Sequence, residues 1–392
     1  MIKILTFSTL FPNTMRPSHG VFVETRLRHL VASGEISARV LAPIPWFPSS
    51  HPRFGEYARF AGVPHTEVRF GLQVEHPRYF LPPKLGMTLA PLLLALRAKH
   101  AIKRMLAAGE DFDLIDAHYF YPDGVAAVLL GRWFNKPVVI TARGTDINLI
   151  PQHALPRKMI LWAAQHAAGM ITVCQALKDA IVALGVAPDR IVALRNGVDL
   201  NLFQPVERAA ERARLKLARR TLLSVGYLIP RKGHEIIIRA LPALPDTDLL
   251  IAGEGPEKHM LTRLAAELGV AERVRLIGAL PQAELRRYYG AVDALVLASS
   301  REGWANVLLE AMACGTPVVA SNVWGTPEVV AAPEAGVLMP ALTPEGVVAG
   351  VNALFANYPE HSATRRYAEQ FSWDDTTAGQ LKLFRAILAR QL

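Results

Sequence analysis

The chain has 392 residues, of which 51% are hydrophobic and 20% are charged. This composition excludes a disordered protein, and the length predicts two domains rather than one. The two cysteines, Cys174 and Cys314, exclude a disulfide framework and a cysteine-based zinc site, which fits a reducing cytoplasm.

The net charge of +9 is concentrated in the first half of the chain. Residues 1–200 contain 22 Lys and Arg against 14 Asp and Glu, a net of +8, which leaves +1 for the remainder. A basic surface can attract an anionic membrane or a phosphorylated acceptor, or it can simply be solvated. Nucleic acid is not expected as a partner, because no aromatic–basic interleaving or known motif accompanies the charge.

In chain order, short apolar runs alternate with helical patterns. The first run, IKILTFS, opens as a strand without the basic and apolar regions of a signal peptide, so a cytoplasmic protein is expected. Strands are also predicted at 38–43, 114–118, 137–142 and 169–174, and a helix at 125–134. Most of these strands are rich in Val, Ile and Leu without polar alternation, as in parallel sheets buried on both faces.

Residues 84–106, KLGMTLAPLLLALRAKHAIKRML, combine an apolar stretch with a basic one. The apolar part, 85–96, is too short to span a bilayer. The basic residues that follow it are Arg97, Lys99, Lys103 and Arg104. Two interpretations stay open, an amphipathic helix on a membrane surface or an ordinary helix packed on a sheet.

The second half repeats the strand–helix alternation. Strands are predicted at 221–226, 248–253, 274–278, 294–299 and 317–321, with a helix at 258–268. A charged, turn-like segment at 196–220 separates the halves, and the boundary is placed near 203–205. We expect two Rossmann-like domains facing a cleft, with ligands beyond the carboxyl ends of the strands.

Residues 300–321, SREGWANVLLEAMACGTPVVAS, place Glu302 and Glu310 in an otherwise apolar run. A buried carboxylate is costly unless it is paired or hydrogen-bonded, so either the protein satisfies these glutamates or they bind a ligand. With a helix start at Asn306, Glu302 lies in the preceding loop and Glu310 about one turn inside the helix. The backbone N–H groups around that start can bind phosphate.

These positions predict a division of roles. A phosphate repels a carboxylate, so Glu310 is expected to bind a neutral ribose diol through two charge-assisted hydrogen bonds. Glu302 can reach a sugar hydroxyl or stabilise positive charge at a reacting carbon. A diphosphate also needs cations, and VGYLIPRKGH supplies Arg231 and Lys232 just after a strand.

Several segments, in order along nearly the whole chain, resemble those of the retaining glycosyltransferases of family 4. EGWANVLLEAMACGTPVVAS is similar to the Glu-x7-Glu segment of that family, VGYLIPRKGHEIIIRAL to its phosphate-binding segment, and FSWDDTTAGQLKLF to its terminal helix. The resemblance implies an α/β protein with the GT-B fold, in which two Rossmann-like parallel-sheet domains face a central cleft. It implies an acceptor-binding domain at 1–203, a nucleotide-sugar-binding domain at 204–370, and a helix at 371–392 that crosses back to the first domain.

The resemblance also implies roles for individual residues. Those implied to be catalytic are Glu302, His118, Lys232 and Arg231. Those implied to bind the donor are Glu310, Gly20, Gly226, Gly303, Trp304, Ala305 and Asn306. His118 would hydrogen-bond a hydroxyl of the donor sugar, and Gly20 would let the backbone approach a phosphate or the acceptor.

Two positions depart from the family pattern. Arg143, in TARGTDIN, stands where the family often has a histidine, and Tyr227 stands where an arginine is common. Arg143 is expected to grip an anionic acceptor or a sugar, with Asp146 fixing it. Arg231 is expected to compensate for Tyr227.

The predicted function is retaining transfer of a sugar from a UDP- or GDP-linked donor to a saccharide or lipid-linked acceptor, in cell-surface polysaccharide or glycolipid synthesis. No cofactor and no metal are expected, because the Asp246-Thr247-Asp248 triplet precedes its strand and so lies at the wrong end of the sheet. Two alternatives stay open: a sugar-nucleotide 2-epimerase, which would act without an acceptor, and a non-catalytic nucleotide-sugar-binding protein.

Overall fold

A computed structural model describes residues 1–81 and 86–390 of the chain. These residues form two compact units, each built around a largely parallel sheet. The first unit comprises Met1–Arg195 with Asp374–Leu392, and the second comprises Asn196–Trp373. The predicted boundary at residue 203 therefore lies inside the second unit, and the first unit contains residues from both ends of the chain.

The strands of the first unit follow the apolar runs of the sequence. They are β1 (Ile2–Phe7), β2 (Ile36–Leu41), β3 (Ile44–Pro45), β4 (Thr66–Arg69), β5 (Leu72–Glu75), β6 (Arg78–Tyr79), β7 (Leu114–His118), β8 (Val138–Ala142), β9 (Gly169–Thr172) and β10 (Ile191–Ala193). Eight of them form a sheet in the order β10-β9-β8-β7-β1-β2-β5-β4, and only the β4–β5 pair is antiparallel. The strands β3 and β6 pair separately.

Helices connect these strands, as parallel pairing requires. They are α1 (Val21–Ala32), α2 (Glu56–Gly62), α3 (Gly86–Ala107), α4 (Val125–Phe134), α5 (Thr145–Asn148), α6 (Ala154–His166) and α7 (Gln175–Ala183). Every residue of β7 and of β8 is buried, which explains their nearly continuous apolar sequences. The polar residues His118, which ends β7, and Arg143, which directly follows β8, therefore lie at the carboxyl edge of the sheet.

The second unit has one parallel sheet of six strands. These are β11 (Arg220–Val225), β12 (Thr247–Ala252), β13 (Val274–Gly278), β14 (Ala294–Leu297), β15 (Val318–Ser321) and β16 (Gly336–Met339), in the order β13-β12-β11-β14-β15-β16. The order reverses between β11 and β14, which is where open α/β sheets bind ligands.

The helices of the second unit cover this sheet. They are α8 (Arg208–Leu215), α9 (His234–Ala240), α10 (Lys258–Glu267), α11 (Gln282–Ala291), α12 (Asn306–Ala313), α13 (Thr326–Val329), α14 (Pro344–Ala356) and α15 (His361–Glu369). The core is aliphatic and draws on strands and helices alike, including Leu222, Ile237, Val296 and Val351.

The last helix, α16 (Trp373–Leu388), returns the chain to the first unit. Its residues Leu381, Phe384 and Ile387 belong to the same buried apolar cluster as Ile4 and Leu114. The i, i+3, i+6 spacing puts these three side chains on one face of the helix. The core of the first unit is therefore completed by the end of the chain.

All ten strands predicted from the sequence are present, which confirms an α/β protein with two parallel-sheet units. Six of the described strands were missed by the sequence patterns: β3, β4, β5, β6, β10 and β16. Of these, β4, β10 and β16 lie at the edges of the two large sheets, β3 and β6 pair only with each other, and in β4 every residue keeps some solvent exposure. Short edge strands lack the long apolar runs by which buried strands are recognised.

The predicted helix at 84–106 corresponds to α3, although Lys84 and Leu85 lie outside the described residues. Pro91 lies inside α3. Within the described parts of the chain, no helix combines the length and the apolar character that crossing a bilayer requires.

Candidate active site

A tight connection follows β11 in the second unit and carries the predicted cations. The chain forms a 3-10 turn at Pro230–Lys232 and enters α9 through Gly233, whose φ is +67°. A Cβ at this position would lie 1.9 Å from the Ala298 carbonyl oxygen, so only glycine fits. Because Gly233 touches the segment after β14, it draws Lys232 toward the loop before α12.

Lys232 and Glu302 form a close ion pair at this point. The Lys232 Nζ atom donates to Glu302 Oε1 at 2.6 Å, and Arg231 Nη1 lies 3.7 Å from the same oxygen. The guanidinium of Arg231 also donates to the Arg301 carbonyl oxygen at 2.8 Å. A Cβ at Gly226 would lie 3.2 Å from Lys232 Cδ, so Gly226 makes room for the lysine stem. Two cations thus face one carboxylate, which leaves a net positive charge.

Glu302 is ionised at neutral pH. Burial acts to raise the pKa of its carboxyl, but the charge and hydrogen bond of Lys232, together with Arg231, outweigh burial and hold this pKa below the ordinary value. Glu302 is only 8% exposed. A buried carboxylate held in place by two cations can stabilise positive charge that develops nearby.

The N-terminus of α12 follows directly after Glu302 and Gly303. Asn306 is the first helical residue and Ala305 is the N-cap, without any side-chain cap. The prediction that Asn306 starts the helix is thus confirmed, but its side chain is not a cap, because Asn306 Oδ1 accepts from Asn196 Nδ2 at 3.2 Å. Trp304 is largely buried and its ring packs against Phe371. The first-turn amides of a helix have no intrahelical acceptors, which suits an anion.

Glu310 lies inside α12 and is held by α11. Tyr289 Oη donates to Glu310 Oε2 at 2.9 Å, and Gln282 Nε2 donates to Oε1 at 3.3 Å. Burial raises the pKa of Glu310 to about 7, and both hydrogen bonds oppose that rise. Sequence reasoning missed Tyr289 and Gln282, because nothing in their local pattern distinguishes them from other residues of an amphipathic helix.

The predicted residues of the first unit meet at the carboxyl ends of β7 and β8. Arg143 Nη2 donates to His118 Nδ1 at 2.6 Å, and since arginine can only donate, that nitrogen is the acceptor. His118 Nε2 therefore carries the hydrogen and lies 3.2 Å from Asp116 Oδ2. Burial lowers the pKa of His118 to about 4, so the ring is neutral at pH 7.

This arrangement corrects the role expected of His118. Both ring nitrogens already have protein partners, so neither is available for the predicted hydrogen bond to a sugar hydroxyl. His118 instead holds the guanidinium of Arg143, which also lies 5.3 Å from the centre of the Phe22 ring. A role for Arg143 in gripping an anionic acceptor stays a prediction.

A buried chain of hydrogen bonds continues behind His118. Asp116 Oδ2 also accepts from Gln380 Nε2 of α16 at 3.0 Å, and Gln380 Oε1 accepts from Arg26 Nε at 3.0 Å. Burial alone would raise the pKa of Asp116, but His118 and the nearby arginines lower it below the ordinary value. The side chains of α1, β7 and α16 are thus joined through one ionised carboxylate.

Asp146 anchors the loop that carries Arg143. Its carboxylate accepts from the backbone N–H groups of Arg143, Gly144 and Phe120, at 2.7 to 3.3 Å. It therefore fixes the loop backbone after β8, and its charge also acts on the guanidinium of Arg143, whose pKa burial lowers and Asp146 raises. The side chain is fully buried, so it does not face an acceptor.

Gly20 precedes α1 and has a left-handed backbone, with φ at +73°. A Cβ here would lie 2.3 Å from the Leu10 carbonyl oxygen. The close approach that requires glycine is thus an internal one, between two parts of the loop after β1. The expected approach to a phosphate or an acceptor stays a prediction.

The predicted site residues fall into two groups, one in each unit. The second unit brings together Arg231, Lys232, Glu302 and Gly226, with Gly303, Trp304, Ala305 and Asn306 following along the chain and Glu310 inside the same helix. The first unit brings together His118, Arg143 and Asp146. Across residues 1–81 and 86–390, no three His, Cys, Asp or Glu side chains converge as a metal site would need.

Comparison with known proteins identifies the class. Residues 206–371 match the family of group 1 glycosyl transferases, and residues 27–202 match glycosyltransferase family 4. The chain therefore belongs to the family 4 glycosyltransferases.

Among its relatives is D-inositol 3-phosphate glycosyltransferase 1 of Catenulispora acidiphila, 32% identical over 72% of this chain and 74% of that protein. A second is the putative teichuronic acid biosynthesis glycosyltransferase TuaC of Bacillus subtilis, 28% identical over 83% of this chain and 82% of the relative. A D-inositol 3-phosphate glycosyltransferase of Segniliparus rotundus is 38% identical, but over only 51% of this chain and 48% of that protein.

Solved structures share the fold. Sucrose-phosphate synthase from Thermosynechococcus elongatus aligns over 100% of both chains with a TM-score of 0.79 and 21% identity. HepE from Anabaena, in complex with UDP-glucose, aligns over 98% of this chain and 100% of its own, with a TM-score of 0.73 and 18% identity. At these identities the likeness concerns the fold alone, which is GT-B.

Proposed function

We propose that this protein is a retaining glycosyltransferase that moves a sugar from a nucleoside-diphosphate donor to a saccharide or lipid-linked acceptor. The observation that carries the proposal is the buried Lys232–Glu302 pair, with Arg231 beside it, directly before the N-terminus of α12. A neighbour of the same fold that binds UDP-glucose supports a donor of this class, and relatives named as glycosyltransferases of inositol 3-phosphate and of teichuronic acid biosynthesis support sugar transfer.

In the proposed reaction, the bond from the anomeric carbon to the diphosphate oxygen breaks and a bond to the acceptor oxygen forms on the same face. Negative charge grows on the leaving phosphate, where Lys232, Arg231 and the helix N-terminus can stabilise it. Positive charge grows on the sugar ring, where the Glu302 carboxylate can stabilise it. The acceptor hydroxyl proton passes to the leaving phosphate oxygen, so no separate side-chain base is required.

Glu310 binds the ribose of the donor in this proposal, and no metal ion takes part. Two cations and a helix N-terminus can supply the positive charge that a divalent ion supplies elsewhere. We therefore propose that donor binding and transfer need neither a metal nor a cofactor. UDP and GDP are both retained as candidate donor nucleotides.

A thermal-shift panel tests the donor assignment. UDP, GDP, ADP and their common sugar conjugates are added to wild type and to Glu310→Ala, with EDTA present. A ligand at 100 times its dissociation constant stabilises the folded state by about 2.7 kcal/mol. We expect a shift with UDP or GDP that Glu310→Ala weakens. The absence of any shift in wild type would remove the main support for the proposal.

Two product assays separate the proposed transfer from its rivals. Proton NMR of the glycoside formed on a membrane extract or a saccharide acceptor reports the anomeric configuration, and retention of the donor configuration is expected. Incubation of UDP-GlcNAc without an acceptor should leave the sugar unchanged. Inversion would overturn the retaining mechanism, and epimerisation would replace transfer by isomerisation.

We also propose that the protein acts at an anionic membrane surface, where it meets a lipid-linked acceptor. Leu89, Leu92 and Leu96 of α3 are 38%, 46% and 43% exposed and share one face of the helix. Arg97 and Lys103, further along, are also exposed. A short apolar stripe followed by cations favours binding in the interface of an anionic bilayer.

Vesicle co-sedimentation tests this position. Wild type should bind vesicles that contain phosphatidylglycerol and should not bind vesicles of pure phosphatidylcholine. The double variant Leu92→Ser with Leu96→Ser should lose at least fivefold in binding. Leu155→Ser is the matched control, because Leu155 is 45% exposed but lies on α6. Equal loss in both variants, or equal binding to both vesicles, would exclude a specific role of α3.

A further inference from the structure

Tyr289 is a fully buried tyrosine whose hydroxyl contacts a predicted donor-binding residue. It lies on α11 and donates to Glu310 Oε2 at 2.9 Å. Its backbone carbonyl accepts from Thr316 Oγ1, and its ring packs edge-on against Phe203 with 6.0 Å between centroids. The ring is therefore fixed at its backbone and on its side, so the direction of the hydroxyl is fixed as well.

The hydrogen bonds that the protein makes to Glu310 leave some of its acceptor positions unoccupied. An ionised carboxylate offers about four lone-pair positions. Tyr289 occupies one on Oε2, and Gln282 occupies one on Oε1 through a longer contact of 3.3 Å. About two acceptor positions therefore remain, which is the number that a vicinal diol needs for its two hydroxyl donors.

We propose that Tyr289 is a positioning residue for donor binding, which holds Glu310 ionised and oriented so that its free lone pairs accept the ribose diol. This inference rests on the proposed transfer from a nucleoside-diphosphate sugar. It extends that proposal to a residue that does not itself touch the donor. It also makes the affinity for the donor depend on pH through the ionisation of Glu310.

The surroundings of Glu310 contain few charges that could take over this task. The pair Tyr289 and Gln282 faces it from α11, and Cys314 follows at the end of α12. Arg286 of α11 and Arg365 of α15 lie near Cys314. Neither arginine contributes to the pKa of Glu310, which burial raises to about 7 and which the Tyr289 and Gln282 hydrogen bonds lower. Removal of the tyrosine hydroxyl should therefore raise this pKa further.

Calorimetric titration with UDP and with GDP, from pH 7 to pH 8.5, tests the inference on the full-length protein. The second ionisation of a phosphate lies near pH 6, so the phosphate charge of the ligand stays nearly constant in this range. At pH 7, Tyr289→Phe should raise the dissociation constant at least tenfold. At pH 8.5 the difference from wild type should shrink to less than threefold, because Glu310 is largely ionised in both proteins.

Two further variants make the titration specific. Tyr288→Phe removes a hydroxyl from the neighbouring position and should match wild type at every pH. Glu310→Gln should bind weakly with a flat pH profile, which marks the part of the pH dependence that belongs to Glu310. If Tyr289→Phe does not fold, Glu310→Asp serves in its place, because the shorter side chain withdraws the carboxylate from the Tyr289 hydroxyl. The same pH-dependent weakening is then expected.

The outcomes distinguish this inference from the function on which it rests. If neither UDP nor GDP binds wild type, the proposed donor is wrong and the inference falls with it. If wild type binds but Tyr289→Phe is equal to it, or weaker by the same factor at every pH, the role of Tyr289 is structural and only this inference is overturned. Weakening that fades as the pH rises supports it.

Discussion

Lys232 connects a buried carboxylate with the place assigned to the leaving phosphate. Replacement by methionine keeps the apolar stem against Gly226 but removes the charge that faces Glu302. We expect Lys232→Met to lower the rate of sugar transfer, measured as the UDP or GDP formed, by a factor of about 10² to 10³. This is the usual effect of losing one preorganised electrostatic contact. The exposed Lys258 on α10 offers the control Lys258→Met, which should retain wild-type rates.

The same substitution has a cost for folding. Glu302 would remain buried with Arg231, at 3.7 Å, as its remaining ion-pair partner, and breaking a buried ion pair destabilises by about 3–5 kcal/mol. Thermal unfolding of Lys232→Met must therefore accompany the kinetics. A rate equal to wild type in folded Lys232→Met would show that the lysine is structural.

Glu310 also makes the stability of the fold depend on pH. Its pKa is about 7 in the folded state against 4.5 in the unfolded state, so between these values the folded state binds more protons. Protonation of Glu310 thus contributes most to the free energy of unfolding below pH 4.5. This contribution, roughly 3 kcal/mol, is lost as the pH rises to 7. Denaturant unfolding should show wild type losing stability relative to Glu310→Gln over that window. A constant difference would contradict the raised pKa.

At the level of elements, a comparison of two glycines with nearly the same φ distinguishes the cost of left-handed backbone from the cost of a steric clash. Gly233 has φ at +67° and meets the Ala298 carbonyl, whereas Gly269, after α10, has φ at +66° and a Cβ there would meet nothing within 4 Å. Gly269→Ala should cost about 1–2 kcal/mol, the usual penalty of left-handed backbone for alanine. Gly233→Ala should cost clearly more and slow turnover, because the turn that carries Lys232 must shift. Equal losses in urea unfolding would argue against the clash.

The elements that bear the site could be foreseen from the sequence because their signals are local. The apolar runs before His118 and Arg143 define β7 and β8, and Asn306 marks the start of α12. The partners of the site residues could not be foreseen in this way. Tyr289 is 21 residues from Glu310, and Gln380 is 264 residues from Asp116. Such contacts arise only from the packing of whole elements, and no periodicity in the sequence encodes them.

For the molecule as a whole, buried hydrogen bonds join α16 to the rest of the first unit. Gln380 is fully buried and bridges Arg26 and Asp116, so Gln380→Leu would leave a buried cation and a buried carboxylate each with one partner fewer. We expect a loss of about 2–6 kcal/mol, from one lost hydrogen bond at each of two buried polar groups, at about 1–3 kcal/mol each. Lys382→Leu, at an exposed position of the same helix, should cost less than about 0.5 kcal/mol. Similar losses in both variants would mean that the bridge contributes little.

The fold class was predictable at this scale because strand–helix alternation runs through both halves of the sequence. The exact limits of the units were not, since the division follows spatial contacts: the first unit ends at Arg195 and resumes at Asp374. The corrected role of His118 has the same origin. Position at a strand end suggests a ligand contact, but a side chain in that position can also be hydrogen-bonded by other residues of the protein.

The return of α16 to the first unit has a consequence for synthesis on the ribosome. Residues 1–195 emerge first, yet Phe384 and Gln380, which complete their core and their buried polar chain, are made only after the whole of the second unit. At about 5–20 residues per second the interval is roughly 10–40 s. The second unit is continuous in sequence and can close within that interval. We therefore expect the first unit, whose synthesis begins first, to complete its core after the second unit has closed.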